Sequence, residues 1–176
     1  MLEWTGQLTC AKEHALNKIG HALRDLDPGV ERFSNVPRLA VLARQLGLAY
    51  PLLLQSMVIF KQPRIGGEVV WHQASSFLYT EPLSVLGFWF ALEDASLENG
   101  CMWALPGEHL KGLRERFHRV DGVLTMKDRE GIAAFDPAHA VPLEVSKGTP
   151  VVLTGSLPHY RRPNRNRRSP FALTLP

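Results

Sequence analysis

From residue 52 onward, the sequence is a series of short apolar runs that end in turn residues. The runs cover residues 52–60, 68–72, 83–92, 101–105, 150–153 and 171–175. They are dense in Leu, Val, Ile, Phe and Trp, the composition that is typical of strands. Turn pairs such as Gly66-Gly67 and Pro106-Gly107 separate them. This succession predicts a β-sandwich or barrel as the core of the molecule.

The first third of the chain has a helical pattern instead. Apolar residues recur there at steps of three and four within residues 11–26: Leu16, Ile19, Leu23 and Leu26. Asp27-Pro28-Gly29 ends this predicted helix by turn chemistry. Asn35 is the expected cap of a second helix, with Pro37 in its first turn and Leu39, Leu42 and Leu46 along its buried side. We therefore expect one α+β domain over residues 1–176, with two helices before the β core and a loop insertion over residues 114–140.

The positive charge of the chain is concentrated in one short segment. The sequence has 20 Lys and Arg against 17 Asp and Glu, a net charge of +3. Five arginines account for the excess: Arg161, Arg162, Arg165, Arg167 and Arg168. Nucleic-acid binding needs basic residues spread over a surface with stacking aromatics, and only Tyr160 accompanies this cluster. The cluster favours a solvated loop, and an anion site for a phosphate or carboxylate is the alternative.

The cysteines and the apolar runs indicate the cellular compartment of the protein. Cys10 and Cys101 are far apart, which argues against a disulfide framework and for a reducing compartment. No apolar run is long enough to span a bilayer, and residues 1–7 do not have the pattern of a secretory signal. We expect a cytoplasmic protein without a membrane partner.

Two of the seven histidines stand at the ends of predicted strands. His72 ends the run 68–72, and His159 follows the strand and turn of residues 150–158. Scattered histidines are most often surface or hydrogen-bonded core residues. Strand ends at the mouth of a barrel, however, are places where a rigid scaffold can direct imidazoles at a common metal. The other five histidines have no comparable context.

Several runs of sequence resemble one known family. They are residues 17–23, 55–57, 59–63, Gly66-Gly67-Glu68-Val69, His72-Gln73, 77–83, Glu93-Asp94, Leu97-Glu98-Asn99-Gly100-Cys101, and Pro106-Gly107 with His109. In these runs the chain resembles the phytanoyl-CoA dioxygenase family of Fe(II)/2-oxoglutarate oxygenases. Within that family it is most similar to the phytanoyl-CoA dioxygenase domain-containing proteins. The resemblance covers most of the chain and is weakest over residues 110–140. Relative to such proteins, we expect the chain to lack a substantial N-terminal part and a C-terminal tail.

The resemblance implies a double-stranded β-helix, the jelly-roll or cupin-like fold. It also implies an iron held by a His-x-Asp pair and a distal His, with open positions for 2-oxoglutarate and oxygen. His72 matches the first ligand and His159 the distal ligand, but Ala74 stands where the family has Asp. Among the contacts to 2-oxoglutarate, the chain retains Lys18, Met57, Gln73 and Trp89.

Two further positions depart from the family pattern. Arg161 stands in place of a Ser, and Pro170 in place of the Arg that pairs with the far carboxylate of 2-oxoglutarate. Proline cannot supply a bidentate anchor, so Arg168 and Arg161 are the candidates to replace it. Glu68 precedes His72 by four residues on an extended strand and is not expected to reach the same metal.

Three functions remain open on this sequence. The first is hydroxylation with Fe(II) and 2-oxoglutarate, impaired by Ala74 and Pro170. The second is a catalytically inactive relative that binds a ligand or a partner. The third is a radical halogenase, because such enzymes on this scaffold replace the carboxylate by Ala or Gly so that halide takes its position. The small-molecule substrate is not indicated, and uncovered strand edges make self-association an expectation.

Overall fold

Eleven strands and four short α-helices make up the computed structural model, which describes residues 10–63, 67–128, 135–167 and 170–176. The strands are β1 (Lys18–Ile19), β2 (Met57–Ile59), β3 (Val69–His72), β4 (Leu86–Ala91), β5 (Met102–Ala104), β6 (Glu115–Val120), β7 (Val123–Asp128), β8 (Val141–Leu143), β9 (Pro150–Thr154), β10 (His159–Arg161) and β11 (Ala172–Leu175). The helices are α1 (Leu23–Leu26), α2 (Pro28–Ser34), α3 (Pro37–Gln45) and α4 (Ala74–Phe77). Three 3₁₀ helices cover Lys12–His14, Glu108–Lys111 and Pro137–His139.

Nine of these strands form two antiparallel sheets. The larger sheet has the order β1-β2-β11-β4-β9, and the smaller sheet has the order β3-β10-β5-β8. Strands β6 and β7 form a separate hairpin. Neighbouring strands come from distant parts of the chain, which is the topology of a jelly roll and confirms the expected double-stranded β-helix.

Side-chain alternation on β4 divides the apolar residues between two layers. Trp89 and Ala91 point between the sheets, where they pack with Met102 of the smaller sheet and Ala172 of β11. The other layer lies on the opposite face of the larger sheet, with α3 packed against it: Phe88, Phe90, Leu173 and Leu175 contact Ala43, Leu39 and Leu42. The space between the sheets is therefore where Trp89 and its neighbours can meet residues of the smaller sheet.

The predicted helix over residues 11–26 is wrong. A 3₁₀ turn, the two-residue strand β1 and the short helix α1 take its place, and Leu16, Ile19 and Leu26 are exposed. Lys18 and Ile19 pair instead with Ile59 and Val58 of β2, so a non-local strand pairing outweighs the local apolar period. Two longer helices, α2 and α3, do precede strand β2 of the core.

The turn residues that follow act differently from the prediction, although the second predicted helix is present as α3. Asp27 caps α2, its carboxylate accepting hydrogen bonds from the backbone of Gly29 and Val30. Asn35 ends α2, and Val36 is the residue before α3, which begins at Pro37 as predicted.

Every predicted strand run contains a strand, whereas the loop predicted over residues 114–140 is wrong in part. Residues 115–128 form the β6–β7 hairpin, closed by Asp121 and Gly122, which both adopt positive φ. Residues 129–134 of that predicted loop lie outside the described residues. Strands β8 and β10 carried no clear strand pattern and were missed. None of the helices in the described part of the chain is both long and apolar enough to cross a bilayer.

Candidate metal and 2-oxoglutarate site

His72 and His159 lie side by side on adjacent strands of the smaller sheet. His72 is the last residue of β3 and His159 the first of β10, and the two are direct partners in the antiparallel register. Their ring centroids are 4.3 Å apart with an interplanar angle of 54°. The fold thus brings together the two histidines that the sequence singled out, at one end of the β3–β10 pair.

In both imidazoles, Nδ1 forms a hydrogen bond with a backbone carbonyl. His72 Nδ1 donates to the Val70 carbonyl and His159 Nδ1 to the Leu157 carbonyl, each at 2.9 Å. A carbonyl oxygen only accepts, so the proton of each neutral ring is on Nδ1 and the lone pair is on Nε2. Carbonyls in this position fix the tautomer and orientation of metal-binding histidines.

Burial keeps the pair neutral. It lowers the pKa of His159 to about 4, with the neighbouring charge of His72 as the second cause. Burial is also the main reason why the pKa of His72 is below its usual value, although the Val70 carbonyl and the carboxylate of Glu115 act in the opposite direction. Both Nε2 lone pairs are therefore available at neutral pH.

Ala74, where the resemblance predicts a carboxylate ligand, is the first residue of α4. Its methyl group cannot donate to a metal. Across the described ranges, no group of three His, Cys, Asp or Glu side chains could hold a metal ion. The two imidazoles thus fit iron as ligands, while the donor set of the family is incomplete.

Gln73 is fully buried, and its amide is engaged by the backbone. Its nitrogen donates to the Gly112 carbonyl at 2.9 Å and the Ser156 carbonyl at 2.7 Å, while its oxygen accepts from the Arg114 N–H at 2.9 Å. The side chain ties the start of α4 to the segments before β6 and β10. These bonds use both amide donors, so a contact of Gln73 with 2-oxoglutarate, which the resemblance implies, stays a prediction.

Other predicted contact residues line the larger sheet opposite the histidines. Met57, Thr174 and Trp89 form one row across β2, β11 and β4. Trp89 Nε1 and Thr174 Oγ1 are both buried without a hydrogen-bond partner among the described residues. Lys18 is exposed on β1, and its charge is close enough to lower the pKa of His72. Sequence reasoning missed Thr174, whose only signal is a hydroxyl at an inward position of an apolar strand.

Arg161 differs from the rest of the arginine cluster. Arg162, Arg165 and Arg167 are exposed, as expected for a solvated loop, but Arg161 is only 4% exposed. Its guanidinium lies 5.7 Å from the centre of the Trp89 ring, and its Nε donates to the Gly100 carbonyl at 3.2 Å. Neither Nη1 nor Nη2 has a partner in the described parts of the chain.

Two other positions, 170 and 168, concern the binding of the far carboxylate of 2-oxoglutarate, and neither shows a cation among the described residues. Pro170 is fully buried just before β11 and has no group that could pair with a carboxylate. Arg168, the other predicted substitute, lies outside the described residues. Glu68, which was not expected to reach the metal, is exposed and lies just before β3, at the opposite end of that strand from His72.

Comparison with known proteins agrees with this fold. The model of the phytanoyl-CoA dioxygenase family matches residues 5–170. A phytanoyl-CoA dioxygenase 1 of Oryza sativa subsp. japonica is 47% identical over 170 residues, covering 97% of this chain and 60% of that protein. A phytanoyl-CoA dioxygenase domain-containing protein 1 of Mus musculus is 43% identical over 175 residues, with the same two coverages. The chain therefore spans about three fifths of the length of these curated relatives.

Solved structures place the fold among iron and 2-oxoglutarate oxygenases. EvdO2 of Micromonospora carbonacea var. aurantiaca, solved in complex with 2-oxoglutarate, is 26% identical, with a TM-score of 0.64 over 91% of this chain and 65% of that one. EctD of S. alaskensis, solved with bound Fe, is 22% identical, with a TM-score of 0.71 over 90% of this chain and 55% of that one. The chain is thus a domain with the double-stranded β-helix fold of the non-haem iron oxygenases. Within that class, the chain belongs to the phytanoyl-CoA dioxygenase family.

Proposed function

We propose that this chain is an Fe(II)/2-oxoglutarate-dependent oxygenase domain of the phytanoyl-CoA hydroxylase type, whose turnover is reduced because Ala74 removes the carboxylate ligand. The observation that carries the proposal is the His72–His159 pair, with both Nδ1 atoms bonded to carbonyls and both Nε2 lone pairs available. When bound there, Fe(II) and 2-oxoglutarate supply oxygen activation for the hydroxylation of a C–H bond.

The residues of the chain have three tasks in this proposal. His72 and His159 hold the metal, and the Val70 and Leu157 carbonyls keep both rings in the binding tautomer. The row of Met57, Thr174 and Trp89, of which Trp89 is buried and the other two are partly buried, would limit water in the space opposite the histidines. Loss of outer-shell partners alone costs ~10–100-fold in metal affinity or activity, so the missing ligand at position 74 should cost more. The substrate stays open: the relatives' names refer to phytanoyl-CoA, and no contact among the described residues indicates a CoA site.

An anaerobic titration tests this proposal. Fe(II) and 2-oxoglutarate are added to the chain, and the charge-transfer absorption of the chelate is followed. We expect the band in the wild-type protein and its loss in His159→Ala, while His139→Ala, which changes an exposed histidine, retains it. Absence of the band from the wild-type protein at saturating metal and 2-oxoglutarate would contradict the proposal and favour the inactive relative.

A halogenase is the second candidate, and one observation favours it. The side chain at position 74 is a methyl group at the start of α4, two residues after His72, so it supplies no carboxylate at the position that a halide takes in such enzymes. Chloride or bromide added to the anaerobic chelate should then shift the charge-transfer band. A band that halide leaves unchanged would count against halogenation and leave hydroxylation as the proposed activity.

A further inference from the structure

Arg161 is a buried cation that lacks an anionic partner in the described part of the chain. It is 4% exposed, and none of the ion pairs between described residues includes it. Among the described residues, the titratable group that acts on its charge is the Cys101 thiol. Burial raises the pKa of Cys101 to about 11, so this thiol is neutral at pH 7. A guanidinium that leaves water without a counter-charge is costly, unless a ligand supplies the charge.

The position of Arg161 on β10 directs it between the two sheets. His159, Tyr160 and Arg161 alternate in direction, so Arg161 and His159 share one face of the strand. Their β5 partners, Met102 and Ala104, are buried, and Met102 belongs to the core between the sheets. Tyr160 points the other way and stacks on Trp71. Residues two apart on a strand are separated by about 6.6 Å. Arg161 and the candidate metal ligand His159 therefore point to neighbouring regions between the two sheets.

Buried hydrogen-bond donors without a partner lie at Arg161 and at Trp89, whose ring the guanidinium faces. Arg161 Nη1 and Nη2 are buried without partners among the described residues, and Trp89 Nε1 is in the same condition. The guanidinium of Arg161 faces the Trp89 ring at 5.7 Å. Its charge also lowers the pKa of Lys61, which burial and Arg161 together bring to about 8. Two nitrogens of one guanidinium form the fork that matches the two oxygens of a carboxylate.

We propose that Arg161 binds the distal carboxylate of 2-oxoglutarate, so that this chain anchors the cosubstrate from β10 instead of from position 170. The identity of the ligand rests on the proposed function, whereas the carboxylate-binding site rests on the buried guanidinium. A short dicarboxylate would span this distance, with one end at the histidine end of β10 and the other at the guanidinium two residues along the strand. The loss of the family arginine at Pro170 then relocates the anchor and leaves cosubstrate binding in place.

The test measures ligand binding to the metal-free chain by calorimetry. It compares 2-oxoglutarate with 2-oxopentanoate, which keeps the 2-oxo acid and lacks the distal carboxylate. We expect wild-type protein to prefer 2-oxoglutarate. Arg161→Met should weaken 2-oxoglutarate binding by about 10- to 100-fold, to the level of 2-oxopentanoate, because it removes charged hydrogen bonds. The affinity of Arg161→Lys for 2-oxoglutarate should lie between those of the wild type and Arg161→Met, since lysine keeps the charge but cannot form two parallel hydrogen bonds. Arg162→Gln removes an exposed neighbouring charge and should leave both affinities unchanged.

Three outcomes would overturn the inference. They are no preference for 2-oxoglutarate in the wild-type protein, an equal loss for both ligands in Arg161→Met, and unchanged 2-oxoglutarate binding in that variant. Thermal unfolding without ligand separates a structural role: an arginine that serves packing should lower the melting temperature when replaced by Met, and an uncompensated buried cation should not. Cobalt(II) binding, measured on the same variants, reports on His72 and His159 alone. Failure of the anchor with cobalt still bound therefore leaves the metal site of the proposed function intact.

Discussion

At the scale of single residues, Ala74 decides how much of the family's metal site remains. A carboxylate at this position would stand beside His72 and complete the donor set. It would also be tolerated locally, because position 74 begins α4 and an acidic residue is favourable at a helix N-terminus. We therefore expect Ala74→Asp to raise the affinity for cobalt(II) by about tenfold to a hundredfold, measured by titration of its visible absorption. Ala74→Asn, of nearly the same shape, is the control and should gain much less. Equal affinities of all three proteins would show that position 74 does not face the metal.

The two cysteines give a second prediction at this scale. Cys101 is fully buried, and burial raises its pKa to about 11, so at pH 8 almost none of it is thiolate. Cys10 is only half-buried. We expect a thiol reagent at pH 8 to modify Cys10 rapidly and Cys101 only as the core opens, as followed by mass spectrometry. Rapid modification of Cys101 in the folded protein would contradict the packing between the sheets.

At the scale of the elements, Gln73 holds three segments in place around the histidines. Its amide bonds connect the β3–α4 junction with Gly112 and Arg114 before β6 and with Ser156 before β10. Gln73→Leu would leave one buried and two partly buried backbone groups without the Gln73 amide, so it should lower the free energy of unfolding by about 3 kcal/mol. Chemical denaturation measures this loss. Gln45→Leu, at an exposed position of α3, is the control and should change stability little; a loss confined to 2-oxoglutarate binding would instead favour the cosubstrate role of Gln73.

The elements also show how far the sequence predicts this structure. Strands that are buried on both faces, such as β4, carry continuous apolar runs, and the sequence located them correctly. It failed over residues 11–26, where Gly20 packs closely on β2: a Cβ there would lie 2.5 Å from the Met57 Cβ. A contact between residues so far apart in the sequence does not affect the local spacing of apolar residues. Strand β10 was missed because its inward residues, His159 and Arg161, are polar for reasons of the site.

The candidate site could be predicted in part and for a definite reason. His72 and His159 were identified by their strand ends and by the family resemblance, and the register of β3 and β10 brings them together. The burial of Arg161 could not be predicted, because four other arginines follow it within seven residues and only the alternation of β10 distinguishes it from them. The partnerless hydroxyl of Thr174 required knowledge of the larger sheet.

At the scale of the whole molecule, the chain carries apolar surface near the end of α3. Tyr50 is 92% exposed and Leu52 81% exposed, next to Leu54, which is 49% exposed. Exposed apolar stretches of this kind promote association. We predict that the chain self-associates with increasing concentration, and that Leu52→Glu raises the dissociation constant by about tenfold, as measured by analytical ultracentrifugation. Leu110→Glu, at an equally exposed leucine elsewhere, is the control. A monomer at all concentrations would contradict the prediction.

Oxygenase activity in this chain requires a metal site that is held by two histidines. Cobalt(II) tests it most directly, because its visible absorption reports its ligands without oxygen chemistry. We predict that wild-type protein binds cobalt(II), that His72→Ala and His159→Ala each abolish the absorption, and that His139→Ala, at an exposed residue, does not. If the wild-type protein gives no cobalt(II) absorption, or if the His72 and His159 variants bind as the wild type does, the β3–β10 pair is not a metal site and the account is contradicted.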